Sequence, residues 1–444
     1  MRKWALMMAM MQVLAVFAEE TLSLEAARSF GLANSRSLAK FNLTLQSTVL
    51  EGKAQTYTLL PSLSLGASAS ISLWNQEGIL LPRIEENFNG GLSFGISQKL
   101  YDGGKYPVLK AINAITQEIT RKEALAEYFA VLDAVDGAYY SVLEAAAAYE
   151  ATKSALETAA LGLSLAEIRF ESGMIRSGEY LQALAEKEAK ETSCNQAKGV
   201  LALSTLKLRS LTGLKEIPSL EGVNFAAYEG LLERLGNLSP AAFEGIYQAL
   251  WKEALARNPS FTKAGLLSQR AGESLTLAKK DYLPTLSASV STGLNYTVPQ
   301  GLELAGGRFS LSGSIPLDFW VIGNKVSQQQ LAKESAALDY QNAESALEID
   351  LQAALLDAAA QAGSVRSSRK ALEYAAQQVE YVMELYRLSQ GSLQALSDAA
   401  TLLSANQNQL IKAQYGFLRS LAMLRSLGSF ETDESLHVLL QGLE

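Results

Sequence analysis

The sequence predicts a mainly α-helical chain with four β-strands of a membrane barrel, laid out as two copies of one plan. Three observations predict this. The first is Leu59–Trp74, LLPSLSLGASASISLW, which alternates without a break after Pro61. Leu63, Leu65, Ala67, Ala69, Ile71 and Leu73 fall on one face, and Ser62, Ser64, Gly66, Ser68, Ser70 and Ser72 on the other. Strand side chains have a period of two, so one face is apolar and one small and polar. About ten such residues suit a tilted strand with lipid on one side and water on the other. A half-buried strand of a soluble protein alternates in the same way, so the recurrence of the pattern matters.

That recurrence is the second observation. Leu283–Val298, LPTLSASVSTGLNYTV, places Leu286, Ala288, Val290, Leu294, Tyr296 and Val298 on one face and Ser287, Ser289, Ser291, Gly293 and Asn295 on the other. Pro61 and Pro284 lie 223 residues apart, and the same offset carries Ala33 onto Ala256, Ser37 onto Ser260 and Lys40 onto Lys263. A second strand follows each copy, one through Phe94 and Ile96, the other through Leu311 and Ile315. Each is followed by a glycine-containing turn, Asp102-Gly103-Gly104-Lys105 and Gly323-Asn324-Lys325. Leu208-Arg209-Ser210-Leu211 is matched by Leu424-Arg425-Ser426-Leu427. Self-similarity at a fixed spacing identifies a duplicated plan. The third observation is a helical pattern from Lys105 to Glu171 that is too long for a globular core. At 1.5 Å per residue it would reach about 100 Å.

In chain order, residues 1–18 read as a secretory signal. Arg2 and Lys3 precede the short apolar run Trp4–Val16, and Val16-Phe17-Ala18 is the expected cleavage site before Glu19. No cysteine stands directly after that site, so no lipid anchor is expected, and no later run has the roughly 18 apolar residues of a membrane helix. An exported chain with lipid-type strands points to an outer membrane. The first repeat spans 19–238. It opens with a helix from Thr21 to about Gln55, capped by Thr21 or Ser23. Strands follow at 58–74 and 91–101, joined by a loop that holds Ile79-Leu80-Leu81-Pro82. The helix 105–171 tolerates Pro107 in its first turn. Val108, Ile112, Ile115, Ile119, Tyr128, Leu132, Val135, Tyr139, Val142, Ala146 and Tyr149 form a coiled-coil seam along it. Ser172-Gly173 is a stop signal, and a return helix covers 177–211. Pro218, Gly222, Gly230 and Gly236 make 214–238 a mixed segment. The second repeat, 239–444, starts at the capping pair Ser239-Pro240. A helix from Ala241 to Asp281 is expected, then strands at 283–298 and 308–318 around a loop from Pro299 to Gly307. Long helices at 324–389 and 393–427 follow, then a mixed tail.

Four strands cannot close a barrel alone. A sheet edge in lipid leaves backbone groups unsatisfied, and single-chain barrels begin at about eight strands. Partner chains are therefore required: two chains give eight strands, three give twelve. Small polar residues do not fill a lumen, which favours the wider, water-filled tube. The expected lipid-facing positions are Leu63, Leu65, Ile71, Leu73, Phe94, Ile96, Leu286, Val290, Leu294, Leu311 and Ile315.

Taken in order, these residues resemble the TolC-type outer-membrane efflux protein family over nearly the whole chain after the signal. The resemblance is carried by Leu22 to Ala39 leading to Leu60-Pro61-Ser62-Leu63, by Leu100-Tyr101-Asp102-Gly103-Gly104, and by the closing Leu211-Thr212-Gly213. Its most specific part is Arg169-Phe170-Glu171-Ser172-Gly173-Met174-Ile175-Arg176-Ser177 running on to Tyr180-Leu181-Gln182-Ala183. The resemblance implies a homotrimer whose twelve-stranded barrel spans the outer membrane of a diderm bacterium and continues as a long periplasmic α-helical barrel. It implies a passive exit duct that meets a periplasmic adaptor and an inner-membrane pump of RND, ABC or MFS type. The adaptor-docking tip would hold Arg169, Phe170, Gly173, Arg176, Ser177, Arg387 and Gly391. Glu179 and Asp398 are the matching candidates for lumen or gate carboxylates. The second repeat departs from the first, because no serine stands four residues after Gly391 and Asp398 is out of register with Glu179.

Other function classes fit less well. The chain has one cysteine, Cys194, and one histidine, His437, which leaves no His-rich metal site and no Cys–His pair. No G-x-S-x-G, phosphate-binding loop or H-E-x-x-H is present. No enzyme activity, metal or cofactor is expected. The net charge of -8 argues against nucleic acid. A periplasmic coiled coil that never spans a membrane would explain the helices but not the four matched strands.

Overall fold

The computed structural model describes residues 21–72, 87–297, 301–388, 390–430 and 432–441. The expected signal and the residue Leu73 lie outside these. The chain begins with β1 (Thr21–Leu22), α1 (Leu24–Asn34) and α2 (Arg36–Tyr57). The single helix expected over this stretch is thus a short strand and two helices. Ser23 caps α1, its hydroxyl accepting the Ala26 N–H at 3.2 Å. Ser35 breaks the run, with an extended backbone and a hydroxyl that accepts the Leu38 N–H at 3.3 Å. Serine offers the backbone this alternative partner wherever a helix can start again.

Next come β2 (Ser62–Ser72), β3 (Asn87–Tyr101), α3 (Lys105–Glu171), α4 (Ser177–Thr212) and β4 (Ser219–Leu220). β1 and β4 form a two-residue parallel ladder, a pairing too short to leave a pattern in sequence. The Tyr139 hydroxyl on α3 lies 2.9 Å from the carbonyl oxygens of both Leu22 and Glu221. α5 (Glu229–Gly236) completes the mixed segment. The helix expected from Ala241 to Asp281 is α6 (Pro240–Arg257) and α7 (Pro259–Lys279), followed by a 3-10 turn. Pro259 is responsible: it forces Asn258 out of the helical region, and the Asn258 side chain then accepts the Phe261 N–H at 3.0 Å.

The second pair of strands is β5 (Thr285–Thr297) and β6 (Gly301–Ser314). The expected loop to Gly307 is mostly strand, and β6 ends before Ile315. Then come α8 (Phe319–Arg387), α9 (Leu393–Gly428) and α10 (Asp433–Gln441). α8 starts five residues before 324, because the Asp318 carbonyl already accepts the N–H groups of Val321 and Ile322 at 2.9 and 3.2 Å. The expected turn Gly323-Asn324-Lys325 is therefore helix.

The chain divides into two compact units that are not the two repeats; each draws on both. One comprises 1–40, 124–262 and 344–444, the other 41–123 and 263–343. In the first, Leu22, Ala27, Val135, Tyr139, Leu208 and Leu418 form one buried cluster, and Ala166, Ala183, Val382, Tyr386, Leu393, Leu396 and Ala399 another. Beside the first cluster lies a buried ionic group. Arg28 donates to both carboxylate oxygens of Asp136 at 2.7 and 2.8 Å and to Asp433 at 2.9 Å. Arg425, only 1% exposed, lies 2.8 Å from Asp136, 3.1 Å from Asp433 and 3.6 Å from Asp133. Two cations thus serve three carboxylates. Burial pushes the Asp133 carboxyl up to about 6. The histidine at 437 packs edge-to-face on Tyr228, which is a packing role.

Candidate functional site

The second compact unit holds the four-stranded sheet. Its order is β2-β3-β5-β6, and every pair is antiparallel. Residues opposed across the ladder share a face. Leu63 opposes Ile96 and Leu65 opposes Phe94; Leu92 opposes Leu294, and Ile96 opposes Val290. Ile71 opposes Phe88 in the same register. Leu63, Leu65, Phe94, Ile96, Val290, Leu294, Leu311 and Ile315 are exposed, and Leu286 is half-buried. The opposite face pairs Ser62 with Ser97, Ser97 with Ser289 and Ser289 with Ser310. Serine pairs bond across it, Ser287 with Ser312 at 2.9 Å and Ser289 with Ser310 at 2.8 Å. One face thus suits hydrocarbon and the other water. Among the described residues β2 and β6 each have one neighbour in the sheet, which leaves the outer edge of each without a strand partner.

The first unit holds the two turns that end the long helices. The turn after α3 is a Schellman cap. The Met174 N–H donates to the Arg169 carbonyl at 2.8 Å and the Gly173 N–H to that of Phe170 at 2.9 Å. Gly173 has φ 72°, where a side chain would be strained. The turn after α8 is built differently. The N–H groups of Gln390 and Gly391 both donate to the Leu385 carbonyl, at 2.9 and 3.0 Å. Gly391 fits closely there, since a Cβ would stand 3.1 Å from the Tyr386 nitrogen. Ser392 then caps α9 by accepting the Ala395 N–H at 3.2 Å, whereas Arg176 precedes α4 without a side-chain cap.

Arg169 joins the two turns. Its guanidinium lies 4.0 Å from the centroid of the Tyr386 ring and donates to the Tyr386 carbonyl. Phe170 stacks on Tyr180 at 5.3 Å. Arg387 makes a long 3.8 Å contact with Glu384 one turn back. Ser177 is the first residue of α4, and Glu179 lies in its first turn. Asp398 accepts from Gln394 at 2.8 Å. Glu179 and Asp398 are both exposed. α4 and α9 are linked through Gln182–Gln394, Ser397–Glu186 and Lys190–Thr401. Tyr386 is the central residue that the sequence motif does not mark; an aromatic five residues before Gly391 was the available signal. Burial pushes its hydroxyl up, Arg169 pulls it down, and Glu179 pushes it up again.

Among the described residues no helix is long and apolar enough to cross a membrane, and no group of His, Cys, Asp or Glu side chains could hold a metal ion. The model of the outer membrane efflux protein family matches residues 29–214 and 250–428. Outer membrane protein TolC of Escherichia coli is 23% identical over 403 residues, covering 85% of this chain and 76% of that protein. The crystal structure of the Campylobacter jejuni CmeC outer membrane channel has a TM-score of 0.77 at 16% identity, over 95% of this chain and 90% of that one. The MtrE outer membrane channel of Neisseria gonorrhoeae gives 0.68 at 17% identity, over 91% and 88%. Both family matches cover helix, strand pair and long helices in turn, and by them the chain belongs to the outer membrane efflux protein family.

Proposed function

We propose that three copies of this chain close a twelve-stranded barrel and act as a passive exit duct in a tripartite efflux or type I secretion system. The family is one of outer-membrane channels rather than enzymes, which leaves no place for the periplasmic coiled-coil reading. The observation that carries the trimer is the sheet with one lipid-type face, one water-type face and two unpaired edges. Such edges must be paired in a bilayer, and the two edges of one chain belong to different repeats. Two chains would give eight strands, a bore that large side chains fill. A face built mostly of Ser, Gly, Thr and Asn, with three charged side chains among the described residues, instead suits the wider tube.

In this reading the turns at Gly173 and Gly391 form the periplasmic tip that docks an adaptor, which in turn meets an inner-membrane pump of RND, ABC or MFS type. Arg169 and Phe170 hold the first turn, and Arg176, Ser177 and Arg387 stand beside the contact. Glu179 and Asp398 supply carboxylates at the entrance. The test is the mass of the protein extracted from membranes in detergent. Three chains support the closed duct. A stable monomer, or a species that stays soluble without detergent, overturns it.

A further inference from the structure

Among the described residues the four barrel strands carry three charged side chains, Lys99, Glu303 and Arg308. Lys99 opposes Ser287, Glu303 opposes Asn295 and Arg308 opposes Ser291. All three therefore lie on the polar face and none on the apolar one. For Arg308 this placement depends on an irregularity. Leu302 and Leu304 are apolar at even numbers, whereas Phe309 and Leu311 are apolar at odd numbers. A regular strand would put Arg308 on the face of Leu302 and Leu304, in lipid. The register instead shifts between Ser291 and Gly293, where Thr292 alone faces both Gly306 and Gly307. The Thr292 hydroxyl donates to the Ala305 carbonyl at 3.1 Å beside this step. One extra residue in a β-bulge reverses the alternation and turns the next side chain to the other face. Arg308 is that side chain.

We propose that Arg308 and Lys99 form a cationic band on the water-facing side of the sheet that favours anionic solutes in the duct, with the Gly306-Gly307 bulge aiming Arg308 into it. The proposal rests on the barrel reading above. The partners of Lys99, Arg308 and Glu303 on β5 are Ser287, Ser291 and Asn295, successive steps of four residues. Each step is about 13 Å along the strand. That exceeds the Debye length of about 8 Å at physiological salt, so Glu303 neutralises neither cation. Closure by identical chains would repeat each charge around the bore, the arrangement by which pores select ions.

The test uses the full-length protein in its membrane with Cys194→Ser as background and a reporter thiol at Ser289→Cys. Ser289 lies on the polar face between Ser287 and Ser291. An anionic and a cationic methanethiosulfonate of similar size are compared by rate, so intrinsic reactivity cancels in the ratio. Arg308→Ser and Lys99→Ser should each lower the anionic-to-cationic ratio about threefold, and together about tenfold. Labelling with a ratio unchanged in all three variants overturns the cationic band while leaving the water-filled barrel standing. No labelling by either reagent overturns the barrel reading and the band with it. Arg308→Gln and detergent-extracted mass keep a charge effect separate from misassembly.

Discussion

Asn34 and Asn258 do the same job in the two repeats. Asn34 donates its amide to the Leu211 carbonyl at 3.2 Å, and Asn258 donates to the Leu427 carbonyl at 3.0 Å. Leu211 and Leu427 are the matched last residues of the duplicated Leu-Arg-Ser-Leu motif. Each asparagine thus holds the orphan carbonyls at the end of its own repeat's return helix.

The two should differ in weight. Asn34 is exposed, whereas Asn258 is buried and also caps α7 through Phe261. Asn258→Ala should cost about 2 kcal/mol and Asn34→Ala less than about 1. Thermal unfolding in detergent, followed by helical circular dichroism, measures both. Equal losses would mean that the cap at Asn258 contributes nothing.

Charge placed on the two faces of the sheet should have opposite fates. Leu65→Lys and Val290→Lys put an ammonium among Phe94, Ile96 and Phe309 on the apolar face. In the barrel proposed above each should cost about 2–4 kcal/mol near mid-bilayer and reduce the yield of assembled protein extracted from membranes. Ser64→Lys and Ser289→Lys should assemble normally. Equal yields from all four would sink the assignment of the faces.

At the turns, Arg169→Ala removes both the ring contact and the donor to the Tyr386 carbonyl. A loss of about 1–2 kcal/mol is expected, confined to the turn. Amide hydrogen exchange of residues 383–396 should quicken while α1 stays protected. Tyr386→Phe keeps the ring beneath Arg169 and the carbonyl to which it donates, so it should change exchange much less than Arg169→Ala.

Asp133 gives the chain a pH dependence of unusual sign. Its carboxyl is pushed from 3.8 up to about 6 by burial, so the folded state holds its proton more tightly than the unfolded state. Its contribution is favourable below the unfolded value and is lost as pH rises from about 4 to 6. Asp433 works the other way. Burial raises its carboxyl, but Arg28 and Arg425 hold it below 3.8 overall, so its stabilisation is lost as pH falls below that value. Asp133→Asn should therefore stabilise at pH 7 by roughly 1 kcal/mol, discounted for the solvent that reaches its side chain. The decline between pH 4 and 6 should flatten while the acid loss below it remains. A variant no more stable at pH 7 than the parent would contradict the raised carboxyl.

The long elements were legible because local signals agree. Asp102-Gly103-Gly104 precedes α3, Ser172-Gly173 follows it, and the seam between them buries Val108, Ile115, Leu132, Val135 and Tyr139. Single-residue breaks were not legible. Ser35 caps the next helix through a local hydrogen bond to Leu38, which most serines in a helical pattern do not make, and Asn258 does the same for Phe261 where Pro259 breaks an otherwise continuous helical pattern. The sequence pattern predicts β6 too short because the bulge at Gly306-Gly307 changes the phase of alternation, and a phase change resembles a loop. Arg425 stands in a motif whose first copy holds the surface residue Arg209, so its burial between Asp136 and Asp433 is a property of tertiary packing alone. At the turns, Arg169 and Gly173 carried a motif, but Tyr386 was visible only once two distant helix ends were brought together.

The unlike edges of the sheet have a genetic consequence. β2 and β6 come from different halves of the chain, so in the closed barrel proposed above copies would mate head to tail rather than face to face. A copy whose β6 edge is ruined, by a proline for instance, still offers a sound β2 edge. It would enter growing rings and stop them from closing. Such an allele should be dominant over the wild-type gene in the same cell, whereas a chain that never folds should be recessive.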